Sequence, residues 1–237
     1  MEHVCRKVDL RPGDRVVEAG CGWGSLALYM ARVKGATVRA FNISKEQIAY
    51  ARERARREGL EGRVEFVEDD YRNVRGRYDV FMSVGMLEHV GPENYRELGR
   101  VIDSCLEAHG RGLIHTIGRN RPEALNAWIA KRIFPGAYPP TLREMMEIFE
   151  PVNLSVLDVE NLRLHYASTA RHWLDRYLAH VGEVRRMFDE RFARAWELYL
   201  SGTVAAFTSA TLELFQVAFA RAMHNEMPWT RAHLYES

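Results

Sequence analysis

The chain has 237 residues, enough to bury a sizeable core, and its 47% hydrophobic and 27% charged content is that of an ordinary globular domain. Lys plus Arg total 33 against 32 Asp plus Glu, so no basic excess argues for a nucleic-acid partner. No apolar run approaches the roughly 18 residues of a membrane span. The Met1–Leu10 stretch has no signal-peptide core, and Cys5, Cys21 and Cys105 show no zinc-type spacing. The expectation is a cytoplasmic protein without a metal.

The first 118 residues alternate short β-branched runs with helical patterns, which predicts a parallel sheet with crossover helices. Strands are expected at Arg15–Ala19, Thr37–Asn42, Val64–Glu68, Tyr78–Val84 and Gly112–Ile117, with helices near Ser25–Val33, Lys45–Glu58 and Asn94–Leu106. Ser44 reads as an N-cap with Gln47 completing a capping box, and Pro92 stands where the third helix would begin.

After Gly118 the texture changes. Arg119–Pro151 holds five of the eight prolines and reads as an irregular excursion with short helices. A strand near Ser155–Val159 follows, then one long helical region from Ser168 to Thr211. Its Trp173, Tyr177, Phe188, Phe192, Trp196 and Tyr199 recur at helical spacing. That stripe reads first as core packing, and the lining of an apolar ligand cavity is compatible with it. Leu214–Phe219 is a closing strand. With no repeat or linker, residues 1–237 form one α/β domain: a cofactor-binding half over 1–118, a helical region over 119–213, and a closing strand and tail over 214–237.

The first chemical motif is Val16–Gly24, a strand running into Gly20-x-Gly22-x-Gly24 and then a helix. Glycines permit a tight turn and close approach of a ligand, and the helix presents free N–H groups. Glu18 precedes them, and a carboxylate there is unfavourable for an anionic pyrophosphate. It suits a ligand with a cationic end, such as S-adenosylmethionine. The second strand ends without an acidic residue, so Asn42, Ser44 and Gln47 are candidates for the ribose or amino-acid tail. Asp69 and Asp70, after the third strand, are placed to accept from an adenine amino group. Glu88 and His89 follow the fourth strand at the same sheet edge. His115 lies in a β-branched strand, where a packing role competes with a catalytic one.

Taken together, these residues resemble the cyclopropane-fatty-acyl-phospholipid synthase family, which includes the mycolic acid cyclopropane synthases. The likeness rests on Gly20-Cys21-Gly22-Trp23-Gly24, Ser44–Gln47, Asp70-Tyr71-Arg72, Ser83–Gly91 and His115–Gly118. It continues through Trp128–Gly136, His165-Tyr166 and Phe215-Gln216-Val217, nearly the whole chain.

The resemblance implies a seven-stranded, mostly parallel Rossmann-like methyltransferase sheet that binds S-adenosylmethionine, with Trp23 among the cofactor contacts. Its helical region would cover an acyl channel. It further implies methyl transfer to the double bond of an unsaturated phospholipid acyl chain, with a carbocation deprotonated by bound bicarbonate. Glu88, His115, Tyr166 and main-chain groups around Ile117 would hold that anion. A methyl-branching or methylene-forming reaction is the alternative. Peripheral contact with the inner membrane face and a homodimer are further expectations, although the arginines of Arg171–Arg194 are interleaved with acidic residues and read as a solvated face. Family members carry an N-terminal segment that supplies a lid and a cysteine, which Cys5 does not match. The expectation is a lid lost, replaced or supplied by another chain, and in the last case a binding module inactive without its partner.

Overall fold

A computed structural model describes residues 1–235. Its centre is one seven-stranded sheet in the order β3-β2-β1-β4-β5-β7-β6. The strands are β1 (Arg15–Ala19), β2 (Thr37–Asn42), β3 (Val64–Glu68), β4 (Tyr78–Val84), β5 (Leu106–Gly118), β6 (Leu154–Asn161) and β7 (Glu213–Arg221). β1 to β5 pair in parallel, and β7 inserts antiparallel between β5 and β6. The closing strand therefore lies inside the sheet rather than on its edge. β6, within the expected helical region, forms the edge.

Helices cover both faces: α1 (Glu2–Lys7), α2 (Ser25–Lys34), α3 (Lys45–Arg57), α4 (Tyr95–Cys105), α5 (Ala127–Arg132), α6 (Leu142–Phe149), α7 (Arg163–Met187), α8 (Glu190–Thr208) and α9 (Ala232–Tyr235). The period of two along each strand sorts the core into two halves. Val16, Val38, Val80 and Leu113 face α1, α2 and α3, whereas Val17, Phe41, Phe81 and Ile114 face α4 and α6. Each of these eight side chains is buried, as doubly wound strands require.

Several expectations need correction. β5 starts at Leu106, directly after α4, and not at Gly112. Pro92 opens a short 3₁₀ turn, Pro92–Asn94, and α4 begins only at Tyr95. The Ser44 capping box is half formed. Ser44 Oγ accepts from the Gln47 amide at 3.4 Å, but the Gln47 side chain is bonded to Asn42 instead. A complete capping box occurs at Thr141 and Glu144, which starts α6.

The long helical region is two helices. α7 stops at Met187, and Asp189 restarts the chain by accepting the Phe192 amide at 2.6 Å. α7 and α8 pack together over Ala170, Leu174, Tyr177, Leu200 and Val204. Only Tyr177 of the aromatic stripe is buried with them; Trp173, Phe188, Phe192 and Trp196 are exposed and Tyr199 is half-buried. The core-packing reading therefore fails for most of that stripe.

Candidate active site

β2 and β3 lie to one side of β1, and β4 and β5 to the other, so the strand order reverses beside β1. Ligands of open α/β sheets bind at the carboxyl ends of strands at such a reversal. Every sequence-selected turn from Gly20 to His115 meets at that edge.

The turn after β1 is knitted onto β2: the Gly20 and Cys21 amides both donate to Phe41 O at 3.0 Å. Gly24, at φ +79°, is fixed by packing, because a Cβ there would stand 2.6 Å from the Phe66 ring. Gly22, at φ +52°, is different, since a Cβ there would meet no protein atom within 4 Å. Its exposed face is open for a ligand. Glu18 is 2% exposed and keeps Oε2 buried without a partner. Burial pushes its carboxyl up to about 8.

Asn42 ties the turns after β1 and β2 together. Its Nδ2 donates to Gly22 O at 3.2 Å and Gln47 Oε1 at 2.6 Å, and its Oδ1 accepts from the Ser44 amide. Asn42, Ser44 and Gln47 thus brace one another. Trp23 is exposed, edge-on to Tyr50. Beyond β3, the Arg72 guanidinium engages both carboxylate oxygens of Asp70 and holds its carboxyl below the usual range. Asp69 uses Oδ1 for the Asp70 amide and Asn73, leaving Oδ2 without a protein hydrogen bond among the described residues.

Glu88 sits in the 3₁₀ turn Leu87–His89 after β4 and is 8% exposed. Oε1 accepts from the Ile117 amide at 2.6 Å, while Oε2 is buried without a partner. Burial raises its carboxyl, opposed by the Ile117 amide and the Thr116 hydroxyl. The Tyr138 amide donates to Glu88 O at 2.7 Å, which anchors the proline-rich excursion beside the site. His115 on β5 accepts at Nδ1 from Gln216 Nε2, 3.0 Å away on β7, and burial pushes its imidazole down to about 4. Tyr166, on the first turn of α7, packs on Phe207 and Trp173. Burial, with smaller contributions from Tyr199 and Glu88, raises its hydroxyl to about 12, which keeps it a neutral donor. The structure thus relates Glu88 to Ile117 and Tyr166, and His115 stands two residues before Ile117 on β5 with its ring nitrogen against Gln216.

Two features escaped the sequence reading. Gln216 was matched but given no role, although a lone amide within Leu214–Phe219 was a visible signal. The other is the link through Phe134 that joins the aromatic stripe of the helical region to the Glu88 turn. His89 meets Phe134, Phe134 meets Tyr199, and the contacts continue through Trp196 and Phe192 to Phe188 at centroid spacings of 4.2 to 6.3 Å.

A family model described as mycolic acid cyclopropane synthetase matches residues 1–217. The chain belongs to that family. It is 38% identical over 226 residues to the cyclopropane-fatty-acyl-phospholipid synthase of Escherichia coli K12, covering 95% of this chain and 58% of the relative. A probable fatty acid methyltransferase of Pseudomonas putida is 35% identical over 250 residues, covering 99% of this chain and 62% of that one. The chain thus spans about three-fifths of the length of these curated relatives. Among solved structures, the cyclopropane synthase MmaA2 of Mycobacterium tuberculosis superposes with a TM-score of 0.85 at 22% identity, over 92% of this chain and 82% of that one. A mycolic acid cyclopropane synthase CmaA1 complexed with SAH and CTAB gives 0.85 at 23% identity, over 92% and 81%. These likenesses establish the seven-stranded fold shared with the family.

The residues fit the groups that the family implies. The buried, unpartnered Glu18 oxygen and the open face of Gly22 suit a cationic amino-acid tail passing over the turn. The buried, unpartnered Glu88 Oε2, held beside the Ile117 amide, suits a small oxyanion once a proton lies between them.

Proposed function

We propose that this chain transfers a methyl carbon from S-adenosylmethionine to the double bond of an unsaturated phospholipid acyl chain, closing a cyclopropane ring. The observation that carries the reading is the buried, unpartnered Glu88 carboxyl oxygen at the β4–β5 edge, beside His115 and the Gly20–Gly24 turn. S-adenosylmethionine supplies an electrophilic methyl on a sulfonium leaving group. Glu18 and the Gly22 turn hold its amino-acid end, Asp69 and Trp23 flank the nucleoside, and Asn42, Ser44 and Gln47 brace the turns. Asp70, paired with Arg72, positions the loop rather than the adenine.

The chain's own groups then manage charge and protons. Burial raises the Glu88 carboxyl, the direction that favours the protonated form in which it would lie against an anion. In this reading neutral His115 and the Tyr166 hydroxyl would donate to the bound anion, and Ile117 fixes Glu88 through its amide. Bound bicarbonate there would supply the base that removes a proton from the transferred carbon. The half-exposed aromatics from Phe134 to Phe188 offer an apolar path for the acyl chain to the reacting carbon. A peripheral location at the inner membrane face and a homodimer belong to the same proposal. No helix among the described residues is long and apolar enough to cross a membrane.

A methyl-branched product is the second reading, because a tuberculostearic acid methyltransferase of M. tuberculosis is 35% identical over 235 residues. The test is to incubate the purified chain with methyl-labelled S-adenosylmethionine and vesicles of unsaturated phospholipid, then analyse the lipid by mass spectrometry. Label in a cyclopropane is expected. Label in a methyl or methylene branch would select the second reading, and cofactor binding without any labelled lipid would overturn both.

A further inference from the structure

The register of the sheet places three polar side chains side by side. His115 on β5 pairs with Gln216 on β7, and Gln216 pairs with Glu160 on β6. Directly paired residues share a face, here the face of Leu113 that α1 covers. Gln216 is 4% exposed and lies within the apolar run Leu214–Ala220 of β7. Its Nε2 lies 3.0 Å from His115 Nδ1, and its Oε1 is buried without a partner. At the far end of the row, Lys7 of α1 is buried with Nζ 2.6 Å from Glu160 Oε2, and His3 Nε2 meets the same oxygen at 2.8 Å.

We propose that Gln216 is a positioning residue that holds His115 as the Nε2–H tautomer and so keeps a neutral N–H donor aimed at the reaction site. A glutamine nitrogen can only donate, so its partner Nδ1 must be the bare acceptor and the ring proton must sit on Nε2. Burial of the ring, and after it the cations at Lys7 and the N-terminus, oppose a second proton on His115. The donor thus stays neutral. The distinction matters for the proposed function, on which this assignment rests. An imidazolium would pass its proton to a neighbouring base, whereas a neutral Nε2–H orients the base and leaves its basicity intact. The Nδ1–H tautomer would instead present a lone pair to the anion. A buried amide in the middle of a core strand is costly unless it is bonded, so its contact with His115 accounts for its presence.

The test uses the whole chain labelled with ¹⁵N-histidine. Long-range ¹⁵N–¹H spectra report which imidazole nitrogen carries the proton, with the His115 signal assigned from its loss in His115→Ala. The wild-type protein is expected to show Nε2–H at His115 between pH 6 and 8. Gln216→Glu supplies only an acceptor while ionised and should convert His115 to Nδ1–H. Gln216→Met has a similar shape and no donor, and should give a mixture of tautomers. In both variants turnover should fall about tenfold or more with S-adenosylmethionine affinity unchanged. A wild-type Nδ1–H tautomer overturns the assignment, as does a Gln216→Met protein with unchanged tautomer and unchanged turnover. Should Gln216→Glu fail to fold, Gln216→Met decides alone. If the wild-type chain makes no product while the tautomers follow this pattern, the positioning role stands and the proposed reaction falls.

Discussion

Glu88 and Ile117 are joined by a hydrogen bond of 2.6 Å from the Ile117 amide to Glu88 Oε1, across the gap between the turn after β4 and the end of β5. One carboxyl oxygen is thereby fixed to the sheet and the other is left buried and free. Glu88→Gln separates these two jobs. The glutamine oxygen can still accept from Ile117, so the fold and cofactor affinity should persist, with a melting temperature close to wild type. Turnover should fall about a hundredfold, the signature of an interaction made in the transition state and not in the ground state. Calorimetry and product formation on one preparation decide it: lost cofactor affinity with unchanged turnover per bound cofactor would show that Glu88 belongs to the cofactor site.

The parallel half of the molecule was readable because its signals are local. A β-branched run, a glycine turn and a helical pattern each occupy fewer than about twenty residues, and βαβ units leave little choice of handedness. Four of the five expected parallel strands therefore have the expected limits. The break between α7 and α8 was missed because apolar spacing continues across Phe188, and only the capping aspartate, Asp189, marks it. The lone amide of Gln216 marks it out within an apolar run, but sequence does not show that its partner is His115. That pairing depends on β7 turning back beside β5, across 101 residues of sequence. The bonds from Asn42 to Gly22 and Gln47 are similar: sequence puts the three near the cofactor, but only the fold shows them bracing one another.

Glu18 links pH to both stability and binding. Its folded value of about 8 lies above the usual 4.5, so its contribution to stability is complete below pH 4.5 and is lost as the pH rises through 8. Glu18→Gln cannot ionise and should escape that loss. The melting temperature of the variant relative to wild type is expected to climb from pH 5 to pH 9. A cationic ligand end beside the wild-type carboxyl should lower its value and release a proton at pH 7. Calorimetric titration with S-adenosylmethionine in two buffers of different ionisation enthalpy should reveal that release in wild type and not in Glu18→Gln. Equal heats in both buffers for wild type would remove Glu18 from the cofactor site.

Gly22 offers a cleaner probe of the turn than its neighbours. At Gly20 and Gly24 an added methyl would strike Met86 or Phe66, so any loss there would mix folding with binding. At Gly22 the added Cβ meets nothing, and the left-handed backbone costs about 1–2 kcal/mol. Gly22→Ala should therefore fold, melt a few degrees lower, and bind S-adenosylmethionine about tenfold more weakly or worse, because the methyl projects into the ligand's path. Full affinity in the folded variant would show that the ligand does not cross this turn.

Tyr166 distinguishes a chemical role from a packing one. Its ring lies 4.6 Å from Phe207, a contact that holds the start of α7 against the end of α8, and 5.8 Å from Trp173 two turns further along α7. The hydroxyl takes no part in those ring contacts. Tyr166→Phe leaves the rings in place and removes one donor. Loss of a single hydrogen bond of this kind changes stability by about 1 kcal/mol or less, whereas loss of a donor that orients the base should lower turnover about tenfold or more. Because burial raises the hydroxyl to about 12, the wild-type donor stays protonated through pH 9, and the ratio of the two activities should not vary with pH up to that point. Melting temperature and cyclopropane yield measured on the same preparations provide the comparison. Activity that merely tracks stability would assign Tyr166 to the packing between α7 and α8, and would leave His115 and Glu88 as the side chains that hold the anion.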